Sequence, residues 1–294
     1  MKTTRNVAWG LLFALVLLFS CSENDVKISA NDETVVENEA TTDAYFEEVD
    51  DLSILAVASD DATSTGGKAG SAGRKININD KRFDCATVEI VVADDSTPEH
   101  PKGTITIDFG DGCEDKRGNV RTGKIIITYD GRRFFPGSQI VTALEEYTIN
   151  DIAIEGTRTV TNLSESLESN PKFNIVLEGG KVTWPDETFA TRESDRTREW
   201  VRAANPINDE WHVDGSASGT NRNGVSYTMQ IFETLVYKRE CAVINRVFMA
   251  VQGVKVLTTE NRQLTIDYGD GDCDRIVTIT SDGETRDVEV RGDV

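Results

Sequence analysis

From about residue 76 onward, apolar side chains recur at every second position in short runs, and Gly, Asn and Asp punctuate them. Such alternation, rich in β-branched and aromatic residues, predicts half-buried strands. The runs fall at 87–92, 104–109, 124–129, 149–154, 157–161, 173–177, 182–184, 226–232, 247–251, 264–268 and 275–280. Residues 190–204 are too charged to fit and read as a long loop, or as a strand with a loop. The predicted class is all-β, a mostly antiparallel sheet or sandwich over 81–294. One continuous sheet system is the first expectation, because no Pro- or Gly-rich linker divides it; two tandem sandwiches are the second.

Before that region the pattern is different. Residues 21–80 are acidic and rich in Ser, Thr, Asn and Gly, a composition that buries too little apolar surface to offset its ordering entropy. They read as a mostly disordered tether. One island, 43–59, places Tyr45, Phe46, Val49, Leu52, Ile54, Leu55 and Val57 among acids near helical spacing. It is a candidate short helix, either docked on the domain or transient within the tether.

The strand region contains an internal duplication, with copies near 81–131 and 238–283. Thr106-Ile107-Asp108-Phe109-Gly110-Asp111-Gly112-Cys113 answers to Thr265-Ile266-Asp267-Tyr268-Gly269-Asp270-Gly271-Asp272-Cys273. Each copy reads as a hairpin. Ile105, Ile107 and Phe109, like Leu264, Ile266 and Tyr268, share one strand face, and Gly-Asp-Gly ends the strand. Cys85, Cys113, Cys241 and Cys273 form an even set, which in an exported chain reads as two disulfides. Zinc and free thiols are the alternatives. Pairing within copies (Cys85 with Cys113, Cys241 with Cys273) closes loops of similar size; pairing between copies is equally symmetric.

The first residues set the location. Lys2 and Arg5 precede an apolar stretch over 7–19, and Ser20-Cys21 follows. This is the build of a secretory signal over 1–20, too short to span a bilayer comfortably. Leu18-Phe19-Ser20-Cys21 resembles the lipobox of bacterial lipoproteins. The resemblance implies diacylglycerol attachment at Cys21; a soluble exported protein is the competing reading. Ser22-Glu23-Asn24-Asp25 is similar to the acidic export signal of Bacteroidota surface lipoproteins, which implies an outer-membrane, outward-facing location.

Charge and chemistry narrow the function. The formal net charge is −20, and about −22 once Lys2 and Arg5 leave with the signal, which argues against nucleic acid as a partner. Only His100 and His212 are present, so histidine-based acid–base catalysis has few candidates. Asp108, Asp111, Glu114, Asp115, Asp267, Asp270, Asp272 and Asp274 offer oxygen ligands for calcium, although Asp-Gly is also an ordinary turn signal. No other cofactor is expected. Trp184, Trp200, Trp211 and Tyr227 are candidate glycan-stacking rings, with core packing as the competing role.

Shorter motifs carry less. Asp108-Phe109-Gly110-Asp111-Gly112 resembles the strand–turn motif of polycystic-kidney-disease-type repeats, without their tryptophan. Asp95-Ser96-Thr97 resembles a Bacteroidota O-glycosylation site, and Arg291-Gly292-Asp293 imitates an integrin ligand. Trp211-His212-Val213-Asp214-Gly215-Ser216 holds the residue types of a Ser–His–Asp set, but adjacent in sequence rather than convergent. The expected function is a lipid-anchored structural or interaction protein of the cell envelope, not an enzyme, partnered by the membrane and by an envelope protein or glycan. A glycan- or calcium-dependent surface binding module is the second reading.

Overall fold

Fifteen strands follow one another through one antiparallel sheet, and a helix lies across it. The computed structural model describes residues 28, 30–59 and 73–290; Cys21, Ser22 to Asp25 and Arg291-Gly292-Asp293 fall outside them. The helix is α1, Ala30–Ala58. The strands are β1 Arg74–Ile76, β2 Thr87–Val92, β3 Lys102–Asp108, β4 Cys113–Glu114, β5 Val120–Asp130, β6 Gln139–Ile149, β7 Ile152–Asn162 and β8 Lys172–Thr183. They continue as β9 Phe189–Val201, β10 Glu210–Thr220, β11 Ser226–Lys238, β12 Gln252–Thr259, β13 Gln263–Asp270, β14 Ile276–Ser281 and β15 Glu284–Glu289. Each pairs with its chain neighbours, except that short β4 lies beside β5 and off the path from β3 to β5. The molecule is therefore one continuous sheet system.

A meander of this kind puts alternate connections at opposite ends of the strands. What we term the upper rim carries loops 93–101, 131–138, 163–171, 202–209, 239–251 and 271–275. The lower rim carries 77–86 and 109–119, and then only short links: 150–151, 184–188, 221–225, 260–262 and 282–283. The link at 150–151 divides what the sequence reads as one strand over 149–154. Asn150 and Asp151 both take positive φ there, 51° and 63°, the backbone of a tight primed hairpin turn. The run at 247–251 is part of the longest upper loop and not a strand.

The duplicated units sit near opposite edges of the sheet, as β2–β5 and β12–β14. Ile105, Ile107, Ile125 and Ile127 are buried in one, Leu264, Ile266, Val277 and Ile279 in the other. The turn chemistry repeats too. Asp108 Oδ1 accepts from the Gly110 N–H at 2.9 Å, Asp267 Oδ1 from the Gly269 N–H at 2.8 Å, and both glycines have positive φ. Disulfides form within copies, Cys85–Cys113 and Cys241–Cys273. An odd number of steps across the sheet reverses strand direction between copies, so the first staple lies at the lower rim and the second at the upper.

The helix is the largest departure from the sequence reading. Within the stretch read as a mostly disordered tether with a short helix at 43–59, a helix runs from residue 30 to 58 against the sheet, while 21–27 and 60–72 lie outside the described residues. One stripe of its buried positions, Asp32, Val35, Glu39, Thr42, Phe46, Val49, Ser53 and Ala56, keeps three- and four-residue spacing throughout, with Asp50, Leu52 and Val57 buried beside it. The first half of that stripe is mainly polar, so apolar periodicity cannot reveal it. Val35 packs into the core formed by β10–β15; Phe46, Val49, Leu52 and Val57 pack into the core of the other half. No described helix is long and apolar enough to cross a membrane.

Candidate functional site

Charges on α1 meet charges on the inner face of the sheet in a continuous row. Glu39 receives Arg192 at 2.9 Å and Lys255 at 2.7 Å. Asp43 pairs with Arg192 at 3.1 Å and Arg196 at 2.8 Å. Glu47 pairs with Arg198 at 2.7 Å and Arg158 at 3.1 Å, and Asp50 takes Arg158 at 3.1 Å. Glu48 meets Arg121, Asp51 meets Arg82 at 2.8 Å, and Asp32 meets Arg262 at 2.9 Å. Arg192 is fully buried, at 0% exposure, and also donates to the Tyr227 hydroxyl at 3.1 Å. The charged segment 190–204 is thus mostly β9, a strand whose inward positions include Arg192, Arg196 and Arg198, which face the helix acids.

Electrostatics follow from this packing. Burial pushes the Glu39 carboxyl up, but Lys255, Arg192 and Arg196 outweigh it and hold the group well below the usual carboxylate range. Glu47 behaves likewise, its burial overcome by Arg198, Arg158 and Arg196. For Lys255 burial lowers the pKa, but Glu39 overrides it and raises the group above its ordinary value. Compensation of this kind lets a helix so rich in acids be buried at all.

The upper rim has the opposite character. Phe134 and Phe135 are exposed on loop 131–138, and Leu163 and Leu167 on loop 163–171. On loop 239–251, Val243, Ile244 and Phe248 are exposed at 60%, 64% and 73%. Ile276, just past loop 271–275, is exposed as well. Most of the described exposed large apolar side chains thus lie on one rim, in two clusters either side of loop 202–209.

Those loops are tied to one another. The Gly131 N–H donates to Pro101 O at 2.8 Å, and Gly137 N–H to Asn162 O at 2.9 Å. Trp200 N–H donates to Pro171 O at 2.8 Å, and Arg202 Nη2 to Glu168 O at 2.9 Å. Arg239 N–H donates to Asp209 O at 3.0 Å; Cys241–Cys273 and an Arg275 Nη2 bond to Arg246 O at 2.9 Å complete the series. Buried Asp209 is a hub, accepting from the Ala203 N–H at 2.9 Å and from Trp200 Nε1 at 3.1 Å. A loop usually moves independently of its neighbours; each of these is bonded to the next.

Comparison with protein-family models, curated proteins and solved structures found no match. Function must therefore be argued from the residues.

The structure gives the sequence candidates other tasks. Asp274 Oδ1 caps the Ile276 N–H at 3.0 Å, as Asp108 and Asp267 cap their glycines. Buried Asp115 pairs with Arg121 at 2.8 Å and accepts from the Arg117 and Asn119 N–H groups. Burial alone raises its pKa; those donors bring it down to about 2. Asp111, Glu114, Asp270 and Asp272 are exposed around the two turns. Among the described residues, no group of three or more His, Cys, Asp or Glu side chains could hold a metal ion.

Of the ring candidates, Trp184 and Tyr227 are buried, and Trp200 stacks on its cross-strand partner Trp211 at 5.6 Å. Phe134 lies against Trp200 and Phe173, each at 6.1 Å, with Arg133 over both phenylalanines. These rings fasten loop 131–138 to the sheet and do not form an open row. His212 bonds Glu210 at 2.8 Å, while Asp214 accepts from Thr234 at 2.8 Å, so the two are not joined to each other. In the Asp95-Ser96-Thr97 loop, Ser96 and Thr97 accept the N–H groups of Lys102 and His100. The apolar rim residues were absent from the sequence candidates. Their signal was the Phe134-Phe135 and Val243-Ile244 pairs inside turn-rich segments.

Proposed function

We propose that the protein is an exported, lipid-anchored interaction protein of the cell envelope that works without catalysis and makes contact through its upper rim. The observation that carries this reading is the concentration of exposed apolar side chains on loops bonded to one another. Isolated apolar residues are ordinary at a surface, whereas two clusters of them on one rim, Phe134 to Leu167 and Val243 to Ile276, mark a contact site.

The anchor in this reading is Cys21, and it sets the orientation. The backbone N–H of Ile28 donates to Glu284 at 3.2 Å, and Asp32 pairs with Arg262, both at the lower rim. Seven positions separate Cys21 from Ile28, at most about 25 Å of chain. An acylated Cys21 therefore holds the lower rim, near β15, close to a bilayer. Strands of 11–13 residues in the middle of the sheet carry the upper rim about 36–43 Å away from it.

Two measurements test the proposal. Labelled palmitate should enter the wild-type chain and not Cys21→Ser; equal labelling removes the anchor. A photo-crosslinking amino acid at Val243 should give a discrete adduct on intact cells, with a control at solvent-exposed Asp282 giving none. Absence of an adduct at Val243 removes the interaction reading.

A further inference from the structure

We infer that the occupant of the upper rim is a second copy of this chain, docked rim to rim. The inference rests on reading the rim as a contact surface, and not on the anchor; where both copies are anchored, their lower rims stand about 72–86 Å apart, so the docked copy belongs to an opposing membrane.

Area is the first argument. The eight exposed apolar side chains named on the rim, each roughly half accessible, contribute on the order of 50 Å² apiece by the usual area-to-energy conversion. That makes about 400 Å² of apolar surface. A standard interface takes ~800 Å² from each partner, a little over half of it apolar. The two clusters lie at either end of a rim that crosses nine strand spacings, from β5 to β14, or about 43 Å at ~4.8 Å each, with the more polar loop 202–209 between them.

Charge is the second argument. The five loops 131–138, 163–171, 202–209, 239–251 and 271–275 together contain six arginines and six carboxylates. The chain as a whole carries −20, so the rest of it holds the entire excess. Two copies repel one another through other faces but not through this one. Opposite charges also stand side by side, Arg239 next to Glu240 and Asp274 next to Arg275. An isologous contact about a two-fold axis through loop 202–209 sets Arg132 and Arg133 against Asp272 and Asp274, and Glu165 and Glu168 against Arg239 and Arg246. Loop 93–101, with Asp94, Asp95 and Glu99, is acidic and lies outside the docking strip.

The third argument is preorganisation. Because each loop is bonded to the next, and the Cys241–Cys273 staple pins the most exposed segment, little ordering entropy is lost on docking.

The test is sedimentation equilibrium on the non-acylated mature chain carrying Cys21→Ser, from 1 to 100 µM. The expected result is a monomer–dimer equilibrium within that range. Phe248→Asp and Ile244→Asp should each raise the dissociation constant at least tenfold, with unchanged circular dichroism and melting. A chain that stays monomeric at 100 µM overturns the inference, as does a dimer indifferent to both substitutions. Binding of the monomer to phosphatidylcholine–phosphatidylglycerol vesicles, lost in the same variants, also overturns it and assigns the rim to a bilayer. If the Val243 crosslink joins a different protein, the second-copy inference fails and the interaction reading stands. If no crosslink forms and the chain is monomeric, both fail.

Discussion

Helix α1 and the upper rim exchange the usual places of polar and apolar residues. The helix buries Asp32, Glu39 and Asp50 together with Phe46 and Leu52, while the rim leaves Phe248 and Ile244 in solvent. Each arrangement makes sense only with its partner. The helix acids are matched one by one by arginines and a lysine within the same chain, so their partner is already present. Val243, Ile244 and Phe248 on the rim have no such match among the described residues. Where a residue sits therefore reports whether its complement is internal or external, more than it reports the residue's own polarity.

The largest expected effect comes from unbalancing the internal match. Arg192→Leu leaves Glu39 and Asp43 short of a cation inside the protein and should cost about 3–5 kcal/mol in urea unfolding. Replacing Glu39, Arg192 and Lys255 together by Met should instead be close to neutral or stabilising, because the desolvation cost disappears along with the attraction. If the triple variant is as unstable as Arg192→Leu, the row is held by shape and not by charge.

The two staples separate the regions next. Either Cys241→Ser with Cys273→Ser or Cys85→Ser with Cys113→Ser should cost roughly 3.5 kcal/mol by loop entropy. Only the first pair should speed hydrogen exchange along loop 239–251, since only that staple lies in the rim.

Acid comes third. Glu39, Glu47 and Asp115 have folded pKa values below their unfolded ones, near 4. Their stabilisation is complete above pH ~5 and is lost progressively as pH falls through the folded values, about 2 for Asp115. Urea midpoints should be flat from pH 7 to about 5 and then fall. A decline that starts near pH 6 would contradict this. Smallest of all, Phe248→Asp should move stability by no more than about 0.5 kcal/mol, as for an ordinary surface position.

What the sequence made legible follows the same division. The duplicated hairpins were readable because their inward positions are Ile, Leu and Val, and their ends are Asp-Gly turns. The cystine pairing followed from that duplication, though spacing alone did not decide it. The first half of α1 was missed, and strand β9 was read only as one of two alternatives, for one shared reason. Glu39 faces Arg192, and Asp43 faces Arg192 and Arg196, so on both elements the buried stripe is charged and the apolar period vanishes. Strand β10 was missed similarly, with Gly215 and Ser216 in place of an apolar alternation. The rim was invisible to a search for chemistry, because Val243, Ile244 and Phe248 carry no reactive group and only the meander brings their loop into line with Phe134 and Leu163.

The bond between Lys255 and Glu39 joins residues 216 positions apart, and that between Arg262 and Asp32 spans 230. The helix is made first, yet half of its seat is made last. During synthesis it must wait for almost the whole chain. Contacts so distant slow the final step of folding. A mainly apolar helix left waiting would aggregate, whereas one bristling with carboxylates stays dispersed until its arginines arrive. The acids that complicate burial in the finished molecule thus act as a solubilising coat on the nascent one.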